Sequence, residues 1–149
     1  MCSYCGCEAG PSIGALTDDH AAIAGLASRV RHALDSGQAD VVRSSMAELT
    51  ARFRSHSRKE EAGLLAELAR TGEAVADVER LLADHNRLRP LLAAVSPGDQ
   101  PDRLRAALDA LEEHTRNEDD VLYPFALQVL PAESWAQIND RVVLASGIC

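Results

Sequence analysis

The sequence is poor in aromatic and in basic residues. Aromatic residues make up 3% of the 149 residues, and 23 aspartates and glutamates outnumber 15 lysines and arginines, for a net charge of -8. An acidic chain without a basic stripe is not expected to bind nucleic acid or an anionic membrane surface. No apolar run approaches the length of a transmembrane helix, and the opening MCSYCGCEAG lacks the regions of a secretion signal. We therefore expect a soluble, cytoplasmic protein whose cysteines are kept reduced.

Strand-like alternation is also scarce, whereas alanine, leucine, arginine and glutamate, which favour helices, are abundant. Glycine and proline mark the joints and divide the chain into five helices, at about residues 17–35, 38–70, 73–96, 101–129 and 132–145. Because short connections make neighbouring helices antiparallel, the first four predict an all-α, up-down-up-down four-helix bundle. The fifth predicts a short amphipathic helix on its outside. The expected layout is a Cys-rich leader at 1–13, the bundle at 14–130, and the last helix with its tail at 131–149.

Six polar residues interrupt the apolar stripes of the first four helices, where a bundle core is expected to be apolar. They are His20 in the first helix, His56 and Glu60 in the second, His85 in the third, and His114 and Glu118 in the fourth. Their distances from the connecting turns agree to about one helical turn, at ~1.5 Å per residue. The sequence therefore predicts that all six side chains point into the interior at one height.

Such a buried polar set calls for a compensating charge. An unpaired carboxylate or imidazolium in an apolar core costs several kcal/mol. A single His–Glu pair four residues apart, such as His56 and Glu60, is commonly only a hydrogen-bonded pair on an exposed face. Six groups converging from four helices are instead typical of a metal cluster. Nitrogen and carboxylate ligands suit iron, manganese or zinc, and two carboxylates with two imidazoles per metal suit a dinuclear site.

The ordered set of His20, His56-x-x-x-Glu60, His85 and His114-x-x-x-Glu118 resembles the hemerythrin-like (HHE cation-binding) domain over roughly residues 14–130. The stretch NEDDVLYPFA after His114 is similar to the second motif of that family. The resemblance implies a bundle that holds two iron ions joined by an oxo or hydroxo bridge, with manganese or zinc as second choices. It implies that the centre binds or reacts with dioxygen, hydrogen peroxide or nitric oxide. It also implies that the four histidines are terminal ligands and that Glu60 and Glu118 bridge the metals.

Two positions depart from the pattern of the oxygen-carrying members. Arg89 stands where these have a fifth histidine, one turn after His85, so one iron is expected to have an open position or a substitute ligand. We expect Arg89 to turn away and to pair with a carboxylate, Glu61 or one in NEDD. In the carriers the last carboxylate ligand comes five residues after the histidine of the fourth helix, a position that is Asp119 here. We prefer Glu118 because it lies on the interior stripe, and we expect Glu61 and Asp119 to accept hydrogen bonds around the site or to be solvated.

Three further residues are expected to lie outside the ligand set. His32 is ~18 Å along the helix from His20 and is expected on the surface. Tyr123 falls off the stripe of Glu118, so it is expected to pack with a hydrogen-bonded hydroxyl, although a contact near the metals is an alternative. Trp135 is expected to anchor the fifth helix to the bundle.

The cysteines leave several interpretations open. Cys2, Cys5, Cys7 and Cys149 can form an all-thiolate zinc site, a thiol–disulfide switch or no site at all. We favour a redox or lid role for the leader, in which Tyr4 is a further source of the missing ligand. The preferred function is peroxide consumption of the catalase or peroxidase kind. The alternative is a sensor of iron, dioxygen or nitric oxide that signals through the leader to a protein partner that the sequence does not identify.

Overall fold

The computed structural model describes residues 10–94, 98 and 100–145, and within these ranges it is helical without any strand. Two of the five helices contain a π-helical turn. The helices are α1 (Gly10–Asp35), α2 (Ala39–Glu60, the π-helical turn Glu61–Leu65, and Ala66–Thr71), α3 (Val75–Ala94), α4 (Pro101–Asn117, the π-helical turn Glu118–Leu122, and Tyr123–Val129) and α5 (Ala132–Ala145). Over the described ranges, every helix is too short or too polar to cross a membrane.

The five predicted helices are present, but α1 begins about two turns earlier than the sequence predicted. Its first residue is Gly10, and the following Pro11 is compatible with a first turn, where its missing N–H is not needed. The Thr17 hydroxyl donates to the carbonyl oxygens of Ile13 and Gly14, both at 3.0 Å, so Thr17 lies inside the helix and does not cap it. The predicted boundary between residues 13 and 14 therefore falls within α1.

Two glycines end helices and reverse the chain. Gly37 and Gly72 have φ angles of 67° and 77°, a left-handed conformation that costs glycine little. After the first, the backbone N–H of Gln38 bonds to Ala33 over 2.8 Å, which satisfies a carbonyl at the end of α1. These turns fix where α2 and α3 start and hence which side chains share a height.

Two apolar clusters fill the interior, and the six polar side chains lie between them along the helices. The first cluster includes Ile23, Leu49, Phe53, Leu88 and Leu108. The second includes Leu16, Leu64, Leu81, Leu122 and Ile138. The polar layer is thus covered from both ends by apolar side chains, which keeps water away from it and strengthens electrostatic interactions within it.

Helix α5 packs on the outside of the second cluster, as predicted. Trp135 and Ile138 are buried there, with 3% and 0% of their surfaces exposed. Gly63, in the π-helical turn of α2, is the point of closest approach, since a Cβ atom at this position would lie 3.2 Å from Ile138 Cγ2 and 3.1 Å from Val142 Cγ2. Close packing at a glycine therefore ties α5 to the bundle.

Candidate metal centre

The six polar side chains that the sequence brings to one height do lie together, and all are buried. Their exposed fractions range from 0% to 5%. Ligand-type atoms lie within 4.8 Å of one another in two groups, each of two histidines and one carboxylate. One group is His20, His56 and Glu118, and the other is His85, His114 and Glu118. Each group can hold a metal ion, and Glu118 belongs to both.

Each oxygen of Glu118 faces a different pair of histidines. Oε2 lies 3.0 Å from His20 Nε2 and 3.7 Å from His56 Nε2. Oε1 lies 2.8 Å from His114 Nε2 and 3.4 Å from His85 Nε2. The carboxylate therefore stands between the two histidine pairs.

Glu60 touches one histidine of each pair. Its Oε2 atom lies 3.3 Å from His85 Nε2 and 3.9 Å from His56 Nε2. Both carboxylates thus lie between the two histidine pairs, so the centre is organised as two halves that share their acidic groups.

Most of these close contacts are not aligned hydrogen bonds. The four oxygens of Glu60 and Glu118 and the Nε2 atoms of His85 and His114 are buried without a hydrogen-bond partner, even where the distance is as short as 2.8 Å. Buried polar atoms are normally satisfied. Lone pairs that converge without meeting a donor are what a cation requires, and two carboxylates beside neutral imidazoles supply negative charge for it. The residues therefore fit a metal centre.

The carboxylates and imidazoles shift one another's pKa. Burial would raise the pKa of Glu118, but the four histidines around it hold that pKa well below its usual value. Burial and the nearby charge of Glu118 raise the pKa of Glu60. Burial would lower the pKa of His85, yet Glu118 and Glu60 raise it to about 10. The pKa values of His20 and His56 are raised as well, so protons on these three histidines compensate the carboxylate charge whenever no cation does so.

A second carboxylate stands behind every histidine, at Nδ1, the nitrogen that faces away from the centre. The pairs are His20 with Asp119 at 2.8 Å, His85 with Glu61 at 2.9 Å, His56 with Asp19 at 3.5 Å and His114 with Asp84 at 3.8 Å. Such outer carboxylates hold the ring orientation of a metal-binding histidine and raise its basicity.

These outer pairs form a closed ring around the bundle. In the sequence, each acid is adjacent to a centre residue of its own helix. In the structure, it faces the histidine of the next helix. Asp19 of α1 thus faces His56 of α2, and the series continues until Asp119 of α4 returns to His20 of α1. In each helix, therefore, one of two adjacent side chains points into the centre and the other contacts the histidine of the next helix.

Residues 12–126 match the family model of the hemerythrin HHE cation binding domain. The chain belongs to this hemerythrin family. Comparison with curated proteins and with solved structures gives no match. The match spans the six centre residues, which confirms the family that the sequence motifs indicated.

The π-helical turns of this hemerythrin domain lie at its glutamates. One follows Glu60 directly and the other begins at Glu118. A π-helical turn takes one residue more than an α-helical turn and so rotates the following side chains by roughly 100° relative to a regular helix. π-helical turns are frequent at functional sites.

Tyr123 belongs to the centre, which the sequence analysis gave only as an alternative. Its side chain is 2% exposed, its ring stacks on His20 with 5.5 Å between centroids, and its hydroxyl lies 3.4 Å from His20 Nε2. Burial, together with Glu60 and Glu118, raises its pKa well above the usual value. Tyr123 follows the second π-helical turn. If regular α-helical spacing is assumed from Glu118 onward, Tyr123 is therefore placed off the interior stripe.

Arg89 turns away from the centre and pairs with Glu61, one of the two partners predicted for it. Its Nη1 atom donates to Glu61 Oε1 over 2.8 Å and to Ser57 Oγ over 3.1 Å, and Nη2 donates to Asn86 over 2.8 Å. The same Glu61 oxygen faces His85 Nδ1. Arg89 therefore acts on His85 through Glu61.

Two further expectations concern His32 and the cysteines. His32 is exposed, as predicted. The four cysteines and Tyr4 lie outside the described residues, so their proposed role stays a prediction.

Proposed function

We propose that this hemerythrin domain holds two iron ions, one at His20 and His56 and the other at His85 and His114, with Glu60 and Glu118 shared between them. The observation that carries the proposal is that each oxygen of Glu118 faces a different histidine pair. The short connections between the helices support the up-down-up-down arrangement in which four helices each contribute to one interior centre.

Iron suits this set of donors better than zinc or manganese. Each half offers two histidines and a carboxylate, the combination that non-haem iron sites use while keeping coordination positions open. A zinc ion usually takes four ligands in a tetrahedron. Two histidines and two shared carboxylates would fill that tetrahedron and leave no coordination position open. Manganese prefers a set richer in oxygen.

We further propose that the centre binds dioxygen or hydrogen peroxide and consumes peroxide. Bound iron would supply the redox capacity for this reaction. In disproportionation one peroxide is reduced to two molecules of water while a second is oxidised to dioxygen, so no other reductant is required.

The protein residues would hold and protect the reacting centre. The Asp119 and Glu61 carboxylates would keep the Nδ1 protons of His20 and His85 in place, so that the Nε2 atoms of these two imidazoles remain free for metal. The apolar clusters shield the centre from water at its two ends along the helices. The Tyr123 hydroxyl, close to His20 Nε2, offers the centre a buried hydrogen-bond donor.

The test is metal analysis of protein expressed with added iron, followed by peroxide decay at equal protein concentration, in the wild type and in a Glu118→Gln variant. We expect about two iron atoms per chain, peroxide turnover by the wild type, and loss of both in the variant, with His32→Ala as the unaffected control. Zinc without iron would overturn the metal assignment. Two bound irons that do not turn over peroxide would leave a binding or sensing module.

A further inference from the structure

The four outer carboxylates are held unequally. Three of them also pair with a lysine or arginine, and these pairs are Asp19 with Lys59 at 2.5 Å, Glu61 with Arg89 at 2.8 Å and Asp84 with Arg87 at 3.4 Å. Over residues 10–94, 98 and 100–145, Asp119 pairs with no lysine or arginine, and His20 is its partner. It is also the most exposed of the four, at 39% compared with 15% to 28% for the others.

A cleft between α1 and α4 opens at this same point. It has a volume of about 350 Å³ and is lined by Thr17, His20, Ala21, Ala24, Asp119 and Asp120, among others. Small side chains on α1 leave this space, and an apolar cavity of about 240 Å³ continues from Ala24 along the same two helices. The cleft therefore reaches a histidine of the centre from the surface.

The charge at the mouth of the cleft favours a cation. Glu112, Asp119 and Asp120 line the cleft together with Arg116, and the charge of Arg116 is paired with Glu112 over 2.9 Å. A concave surface with excess negative charge raises the local concentration of divalent cations.

We propose that iron enters and leaves the half of the centre at His20 and His56 through this cleft, whereas the half at His85 and His114 exchanges its metal slowly. The proposal rests on the two-iron centre proposed above. To release a metal, an imidazole must swing away. His20 is held from behind by one exposed carboxylate, whereas His85 is held by Glu61, which Arg89 fixes in turn.

The experiment uses the full-length protein loaded with iron(II) without oxygen and mixed with an excess of a colour-forming iron(II) chelator. We expect two phases of equal amplitude, each releasing one iron per chain. Asp119→Asn should accelerate the fast phase by about tenfold or more, since loss of an outer carboxylate weakens metal binding by that order. The matched variant Asp84→Asn, which changes the carboxylate behind His114, should accelerate the slow phase.

A second pair of variants tests the path. Ala24→Leu fills part of the cleft while leaving the six centre residues unchanged in sequence, and it should slow the fast phase severalfold. Ala51→Leu, at an exposed position of α2, should leave both phases unchanged. Circular dichroism of each variant verifies that the helices remain folded.

The outcomes are distinguishable. Release of two irons in a single phase, or an Asp119→Asn variant that accelerates only the slow phase, would overturn the inference while leaving the two-iron centre intact. No slowing in Ala24→Leu would exclude the cleft as the path. Binding of one iron in total would overturn the two-iron centre itself.

Discussion

Glu61 Oε1 accepts a hydrogen bond from Arg89 over 2.8 Å and lies 2.9 Å from His85 Nδ1. The arginine at the position of a fifth histidine thus does more than vacate a ligand site. Its charge holds the Glu61 carboxylate beside His85, so Arg89 supports the orientation of that histidine from one helical turn away.

The first prediction concerns Arg89. Arg89→His places an imidazole one turn from His85, where it can fill a coordination position, so peroxide turnover should fall and an oxygenated form should live longer. Arg89→Gln is the matched control, because it removes the pairing with Glu61 without offering a ligand. The measurement is peroxide decay at equal iron content. Equal rates in the wild type and Arg89→His would contradict an open position as the basis of turnover.

The second prediction concerns the shared carboxylates. Glu118→Ala removes the carboxylate that belongs to both ligand groups and leaves Glu60 alone to balance four buried imidazoles, so we expect loss of both irons. Asp119→Ala removes only a support behind His20, so it should weaken binding by about tenfold or more but still load fully at excess iron. The measurement is bound iron against free iron. Retention of iron by Glu118→Ala together with its loss from Asp119→Ala would assign the ligand to Asp119.

Much of the centre follows from the sequence because it depends on helix periodicity and on turn positions. Counting residues from the glycine and proline joints brought six polar side chains to one height, and these side chains lie together. Polar residues on an apolar stripe are a strong signal, since a core has few other reasons to contain them.

The rest of the centre depends on contacts between helices and on local helix geometry. Asp19 and Asp84 each serve the histidine of another helix, and nothing in the spacing along one helix indicates such a partner. Tyr123 was placed off the stripe because a regular α-helix was assumed through Glu118–Leu122, which is a π-helical turn. The first helix was predicted from about residue 17, whereas α1 begins at Gly10.

The third prediction concerns pH in the metal-free protein. Burial would lower the pKa of His56, but Asp19 and Glu118 raise it to about 9, and His85 is raised to about 10. Because both folded-state values lie above the usual 6.5, their stabilising contribution is complete below pH 6.5 and is lost as the pH rises through 9 to 10.

The melting temperature of metal-free protein should therefore fall as the pH is raised from 6.5 towards 9. Metal needs unprotonated imidazoles, so the added stability from iron(II) should grow over the same interval. Thermal melts with a chelator and with iron(II), both without oxygen, measure the two trends. A metal-free melting temperature that rises over this interval would contradict the assignment of protonated histidines.

The fourth prediction concerns the attachment of α5. Gly63→Ala places a methyl group 3.1 to 3.2 Å from Val142 and Ile138, so either α5 or the π-helical turn must shift. We expect destabilisation of about 1–3 kcal/mol, measured by urea unfolding. Gly25→Ala on the exposed face of α1, where no atom lies within 4 Å, is the control and should be neutral or slightly stabilising.

The last prediction concerns the Tyr123 hydroxyl. Tyr123→Phe keeps the ring that stacks on His20 and packs in the second apolar cluster, so the fold and the iron content should be retained. It removes the hydroxyl 3.4 Å from His20 Nε2 and with it a buried donor beside the proposed metals. Peroxide turnover at equal iron content should therefore fall, and the near-ultraviolet absorption of the oxidised centre should shift. Phe125→Leu, in the same helix and only packed against the cluster, is the control for altered packing. If Tyr123→Phe matches the wild type in both rate and spectrum, the hydroxyl serves packing alone, and the hydrogen-bond donor to bound ligand must come from elsewhere.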